Sequence, residues 1–204
     1  VLNVITGGAE VGAALTQHPK VAHIAFTGGP QTARHIVRNS AENLASTSLE
    51  LGGKSPFIVF EDADLESAVN AQVSGIFAAT GQSCVAGSRL VVQAASKDAF
   101  LARRKEKAEA VVIGAPDDMA TEVGPLCTEA QRARAVALTA RSVEQGAKLI
   151  TGGAALEGDG FYFPPTILDC SDVPEADCLK EEFFGPVLSA VAFETEDEAI
   201  RIAN

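Results

Sequence analysis

The stretch Val21-Ala22-His23-Ile24-Ala25-Phe26-Thr27-Gly28-Gly29-Pro30 decides how this chain folds. Val21 to Phe26 reads as a short apolar strand and Thr27-Gly28-Gly29-Pro30 as a turn, after which Ala33, Ile36, Val37, Ala41 and Leu44 recur at helical spacing. A strand that turns directly into a helix is the repeating step of a parallel sheet. The same alternation extends outward. Upstream, Val1 to Ile5 reads as a buried strand, Thr6-Gly7-Gly8 as a turn, and Val11, Ala14, Leu15 and His18 as one face of a helix that Pro19 ends. Downstream, Thr47 to Leu51 and Pro56 to Phe60 are strands flanking Gly52-Gly53-Lys54. Asp64 then stands where it can cap a helix carrying Leu65, Ala68, Val69, Gln72, Ile76 and Phe77. Leu90 to Val92 reads as a strand, Lys97 to Val112 as a helix with a charged face, and Thr128 to Gln145 as another helix. Lys148-Leu149-Ile150 and Thr166-Ile167-Leu168 close the series as strands, with a surface loop from Gly158 to Pro165 between them. There is no internal repeat and no low-complexity linker, so the expected class is α/β with parallel connections.

Composition narrows the partners. At 204 residues the chain holds one large domain or parts of two. Hydrophobic residues make up 47% and charged residues 21%, as in ordinary globular domains, and no run approaches the roughly 20 apolar residues of a membrane span. A formal charge of −11 argues against a surface that binds nucleic acid. Small molecules are the expected partners, and no metal site is expected. Cys84, Cys127, Cys170 and Cys178 contain no CxxC pair and the opening residues do not read as a signal peptide, so reduced thiols in a cytoplasmic setting are expected. The chain opens on Val1 inside an apolar run and closes inside the helix-like Glu196 to Asn204, so both ends read as cuts in something longer.

Three segments carry chemistry. Phe26-Thr27-Gly28-Gly29 follows a strand and opens a helix, where backbone amides and the helix dipole can hold a phosphate; the full GxGxxG spacing is absent. Glu50-Leu51-Gly52-Gly53-Lys54-Ser55-Pro56 places a carboxylate at a strand's C-terminal end, where α/β enzymes build their sites, and it lacks the spacing of a Walker loop. Gly81-Gln82-Ser83-Cys84-Val85-Ala86-Gly87-Ser88-Arg89 sets a cysteine in a loop of small residues with room for a substrate. Arg89 is expected to add positive potential there. A thiol attacks as thiolate, so Cys84 needs a lowered pKa or a base to take its proton. Cys127, Cys170 and Cys178 lack such a setting and read as structural.

Taken in this order, the three segments resemble the NAD(P)-dependent aldehyde dehydrogenase family. The resemblance runs through Asn3-Val4, Gly12, His18-Pro19, Phe26-Thr27-Gly28, the Glu50 motif, Gly81-Gln82-Ser83-Cys84, Gly124-Pro125 and Glu181-Glu182-Phe183-Phe184-Gly185-Pro186. The Glu50 and Cys84 motifs, 34 residues apart, are its most specific part. The implied fold is the end of a Rossmann-like dinucleotide-binding domain, residues 1–52, followed by an α/β catalytic domain, residues 53–204, incomplete at its C-terminal end. The match corresponds to the middle and later part of a subunit, somewhat under half of it. The missing parts would include the residues that choose NAD or NADP, an upstream Asn of the oxyanion hole, and the strands that join subunits into a homodimer or homotetramer.

The resemblance also implies roles. Cys84 is the nucleophile that attacks an aldehyde to form a thiohemiacetal and then a thioester, and Glu50 is the general base for the hydrolytic water. The Cys84 amide supplies one oxyanion donor, a group worth roughly 3 to 4 kcal/mol in a hydrolase. Gly28, Gly29 and Thr32 lie along the cofactor pyrophosphate, Leu51 and Gly52 face the nicotinamide, Glu182 holds its ribose, and Phe184 packs beside it. The chain departs from the family pattern where Gly29 replaces the usual Ser and Ala33 the usual second Gly, which removes a hydroxyl from the phosphate site. Two other readings are open: a cysteine hydrolase or acyltransferase activated by His18, His23 or His35, and a truncated noncatalytic module whose exposed sheet edges promote association.

Overall fold

The computed structural model describes residues 1–204, which separate into two compact units, Val1–Gly52 and Gly53–Asn204. In the first, α1 (Ala9–Gln17) and α2 (Pro30–Ser40) accompany a parallel pair of strands, β1 (His23–Gly28) and β2 (Ser46–Leu51). Helix α2 turns Ala33, Ile36 and Ser40 inward, three and four residues apart as one helical face requires. Asn43 ties the unit together. Its amide donates to the Thr16 and His18 carbonyls at 3.2 and 2.8 Å, and its Oδ1 accepts from the Ala45 N–H at 3.0 Å.

Several expectations for this unit need correction. Val1, Leu2, Val4 and Ile5 form no strand and are exposed, because nothing pairs with them. Strand β1 runs two residues past Phe26, so Thr27 and Gly28 are its last residues and not turn residues. Helix α2 ends at Ser40. Leu44, aligned with its apolar face by sequence, has a left-handed φ of 57° and a fully exposed side chain.

The second unit is a five-stranded sheet in the order β3-β4-β7-β6-β5: β3 (Pro56–Val59), β4 (Arg89–Gln93), β7 (Val187–Phe193), β6 (Thr166–Asp169) and β5 (Lys148–Thr151). All pairs are parallel except β5 against β6, which is antiparallel and corrects the expectation of parallel connections throughout. The central β7 was not anticipated. Its sequence Val-Leu-Ser-Ala-Val-Ala-Phe lacks polar alternation because both faces of the sheet are covered. Period-two geometry divides the strand residues between two cores. Leu90, Val92, Leu188 and Ala190 pack with Val69, Ile76 and Phe100 of α3 (Leu65–Phe77) and α4 (Ala94–Glu109). Val91, Val187, Val191 and Leu168 pack with Ala135 and Leu138 of α5 (Glu129–Glu144), Cys178 of α6 (Asp177–Lys180) and Ala199 of α7 (Glu196–Ala203). Each fully buried Val, Leu or Phe contributes about 1.5–3 kcal/mol of hydrophobic stabilisation.

Three helices start at a capping side chain. Asp64 accepts from the Ser67 N–H, Thr128 from Gln131 and Thr195 from Glu198. No helix is long and apolar enough to cross a membrane.

Candidate active site

In the first unit, the parallel register sets Thr27 opposite Glu50 and Gly28 opposite Leu51. The Gly28-Gly29 segment and the Glu50 carboxylate therefore emerge at the same C-terminal end of two adjacent strands. Glu50, Leu51, Gly52, Gly29 and Thr32 are all exposed there. Gly29 is the N-cap of α2 and supplies no side-chain cap; Pro30 follows at the first helical position, and no atom lies within 4 Å of where a Gly29 Cβ would stand. The Gln31 and Thr32 N–H groups belong to the first turn, which has no helical acceptors, so this end presents open donors and the positive end of the helix dipole. At Gly28 a Cβ would sit 2.5 Å from the tip of the Phe26 ring, which would have to shift to admit a side chain.

In the second unit, Cys84 occupies an exposed turn between α3 and β4, with Val85 beside it 77% exposed. The turn is closed by Ala86 N–H donating to Ser83 O at 3.1 Å, and the Cys84 N–H makes no hydrogen bond within the chain. Helix α3 anchors the far side of the loop. Gly87 N–H donates to Gly75 O at 3.1 Å, and Gln72 Nε2 donates to Gly87 O at 3.2 Å. Gln72 Oε1 in turn accepts from Arg104 Nε, and the Arg104 guanidinium lies 4.1 Å over the Phe77 ring with its two terminal nitrogens unpaired. Burial lowers the Arg104 pKa to about 9.

The near side of the loop is set by backbone strain. Ala79, Thr80 and Gly81 are consecutive left-handed residues, with φ of 50°, 56° and 69°. They bring Gly81 against Gly185 and Pro186, so that a Cβ on Gly81 would lie 2.2 Å from the Gly185 carbonyl oxygen. Thr80 Oγ1 donates to Gly124 O at 3.3 Å and Gln82 Oε1 accepts from the Cys127 N–H at 3.0 Å, which fastens the loop to the Gly124-Pro125 segment.

The Glu181-Glu182-Phe183-Phe184 segment is held by α5. Arg134 donates to Glu182 O at 3.0 Å, and Gln131 Nε2 donates to Phe183 O and, at 2.8 Å, to Phe184 O. Arg134 and Arg141 also pair with Glu181. Phe184 sits at φ 51° and is 39% exposed, whereas Phe183 is buried. The Glu182 carboxylate accepts from the Gly53 N–H at 3.2 Å. Next to Gly53, the Lys54 Nζ is buried without a hydrogen-bond partner, 4.8 Å over the Phe183 ring, and burial lowers its pKa to about 8.

Cys84, Glu182 and Phe184 thus belong to interlocked loops of one unit, and Glu50, Leu51, Gly28, Gly29 and Thr32 to one strand end of the other. Arg89 departs from expectation. Its guanidinium donates to the Ile202 and Ala203 carbonyls at 2.8 Å each, closing the C-terminal turn of α7. Gln131 and Arg134 escaped the sequence reading, as did the partners of Gln72, since a polar residue on an amphipathic helix does not signal a partner 15 to 53 residues away. A groove along α5, lined by Arg132, Val136 and Leu156 among others, contains none of the site residues.

An exposed cysteine turn in one unit, and a carboxylate beside an open strand-to-helix turn in the other, are features of α/β enzymes. The chain belongs to the aldehyde dehydrogenase family, whose family model it matches over residues 1–204. It is 65% identical over 205 residues to the (Z)-2-((N-methylformamido)methylene)-5-hydroxybutyrolactone dehydrogenase of Acinetobacter baylyi, covering 100% of this chain and 42% of that protein. It is 44% identical over 206 residues to a betaine aldehyde dehydrogenase of Sinorhizobium fredii, covering 99% and 42%. Among solved structures, PnpE in complex with nicotinamide adenine dinucleotide has a TM-score of 0.91 at 42% identity, over 95% of this chain and 40% of its own. Betaine aldehyde dehydrogenase of Staphylococcus aureus in complex with NAD+ has a TM-score of 0.94 at 37% identity, over 98% and 41%. The chain therefore spans about two fifths of the length of the curated relatives it matches.

Proposed function

We propose that the protein carrying this chain oxidises an aldehyde to a carboxylate with NAD or NADP, using Cys84 as nucleophile and Glu50 as general base. The observation that carries the reading is Cys84 itself: an exposed thiol in a hydrogen-bonded turn with an uncommitted backbone N–H, in a chain matching the family end to end. Residues 1–52 serve as the C-terminal part of the NAD(P)-binding domain and residues 53–204 as the nucleophile-bearing catalytic domain.

The cofactor fits the open end of α2. With no side chain above Gly29, the Gln31 and Thr32 N–H groups can take a pyrophosphate oxygen beside Gly28. By the family resemblance, Leu51 and Gly52 would face the nicotinamide, Glu182 would hold its ribose and Phe184 would pack beside it. Bound NAD(P)+ supplies the hydride acceptor that converts the Cys84 thiohemiacetal into a thioester.

The chain's own residues do the rest. With its proton lost to solvent, the Cys84 thiolate bonds to the aldehyde carbon while the Cys84 N–H stabilises the oxygen as it gains charge. Glu50 then takes a proton from the water that attacks the thioester, and the carboxylate leaves as the thiol reforms. The left-handed run Ala79 to Gly81 and the Gln72 contact hold the turn from both sides, so that Cys84 meets the carbonyl from a fixed position.

The protein is read as cytoplasmic and assembling as a homodimer or homotetramer, with no nucleic-acid or membrane partner. The 65% identity to a hydroxybutyrolactone dehydrogenase favours a substrate of that kind, in which the 5-hydroxylated ring carbon is an aldehyde masked by the molecule's own carboxyl group. The test is NADH formation with propanal and with a 5-hydroxybutyrolactone. Wild type should turn over and Cys84→Ala should not, whereas equal rates in the two proteins would refute the assignment.

A further inference from the structure

Cys170 and Cys178, read from sequence as inert structural residues, form the second thiol centre of the molecule. Cys170 follows β6 and Cys178 lies in α6; both are fully buried, and their Sγ atoms are 3.1 Å apart. The backbone fixes this meeting. Strand β7 holds both residues, with Cys170 N–H donating to Ala190 O at 2.8 Å and Ser189 Oγ donating to Cys178 O at 2.7 Å. Two successive turns, Val173 N–H to Cys170 O and Ala176 N–H to Val173 O, each at 2.9 Å, return the chain from one cysteine to the other. We propose that Cys170 and Cys178 are a redox modification site, a dithiol that a peroxide-class oxidant closes to an intramolecular disulfide. From 3.1 Å, the sulfurs need to approach by about 1 Å to reach the S–S bond length near 2.05 Å.

The surroundings make the two thiols unequal. The Cys170 hydrogen bond and the buried Lys54 cation favour the Cys178 thiolate, while the hydrogen bond with Cys178 and burial hold Cys170 as the thiol. One nucleophile beside one resolving thiol is the arrangement that disulfide chemistry uses. The Cys178 thiolate attacks the O–O bond of hydrogen peroxide, giving a sulfenic acid and hydroxide. Cys170 sulfur then displaces the sulfenic oxygen, which leaves as water with the Cys170 proton. The two thiols are oxidised by two electrons, and peroxide is reduced to two waters. This centre does not depend on the aldehyde reading.

The experiment treats the folded protein with hydrogen peroxide, then denatures it in an alkylating agent and digests it with trypsin. Residues 149–180 form one tryptic peptide that holds both cysteines and neither Cys84 nor Cys127. The expected peptide is unalkylated, lighter than the dithiol by two hydrogen atoms, and returned to the doubly alkylatable form by dithiothreitol. In the Cys170→Ser variant the same treatment should instead leave Cys178 oxygenated or alkylated, with no loss of hydrogen. A wild-type peptide that stays doubly alkylated at peroxide levels that oxidise Cys84 would overturn the proposal. So would a peptide in which both sulfurs carry oxygen and no S–S bond forms.

Discussion

Replacing Gly81 by alanine tests whether the nucleophile loop rests on the loop that carries Glu182 and Phe184. Gly81 has φ +69°, and an alanine Cβ there would lie 2.2 Å from Gly185 O, 2.3 Å from Gly185 C and 2.7 Å from Pro186 N. These are backbone atoms, which no rotamer change can withdraw. The left-handed conformation costs a residue with a Cβ about 1–2 kcal/mol. Forcing the two segments apart adds about 1–3 kcal/mol, the usual cost of overpacking. At roughly 2–4 °C per kcal/mol for a chain of this size, the midpoint of thermal unfolding should fall by about 4 °C or more. Gly75 is the control: it lies in α3 with open space where its Cβ would be, so Gly75→Ala should be neutral or stabilise by about 0.5–1 kcal/mol. Circular dichroism melts of both variants settle the matter. Gly81→Ala melting within about 1 °C of wild type, a shift worth under 0.5 kcal/mol, would refute the packing argument.

Two further outcomes follow from the buried polar groups. Gln72→Leu should destabilise by about 2 kcal/mol or more, because it strips the buried Arg104 of its hydrogen-bond acceptor, and adding Arg104→Met should restore most of the loss; urea titrations measure both. Lys54 has a folded pKa near 8, below its ordinary 10.5, so the unfolded chain binds more protons between those values and this contribution to stability rises with pH across that window. Against Lys54→Met, wild type should therefore gain stability between about pH 7 and about pH 10, and a gap that stays constant would contradict the burial of the cation.

Local order was legible in the sequence. Asp64 stands at a helix start where its side-chain oxygen can cap, and the alternation around Phe26-Thr27-Gly28-Gly29 does produce a strand followed by a helix. The motifs around Cys84, Glu50 and Glu182 were enough to recognise the family that the whole chain matches. What escaped was set by long-range partners. Strand β7 shows no alternation because helices cover both its faces, and Val1 to Ile5 are apolar yet have no strand to pair with. Arg89 looks like a cation for the cysteine loop until the end of α7, over a hundred residues later, supplies the two carbonyls that bind it. The pairing of Cys170 with Cys178 depends on two turns and on β7, neither visible in an eight-residue spacing. The left-handed backbone at Ala79 and Thr80 is likewise imposed from outside, since neither residue type favours it.

The central claim is a thioester on Cys84 that Glu50 helps to hydrolyse, and trapping that species tests it most directly. The Glu50→Gln protein is mixed with NAD and an aldehyde, quenched in acid and digested, and the peptide of residues 55–89, in which Cys84 is the single cysteine, is weighed. The account predicts a mass gain equal to the acyl group of the aldehyde, confined to that peptide and absent from Cys84→Ala. An unmodified peptide from protein that still forms NADH, or an acyl group on another residue, would contradict it.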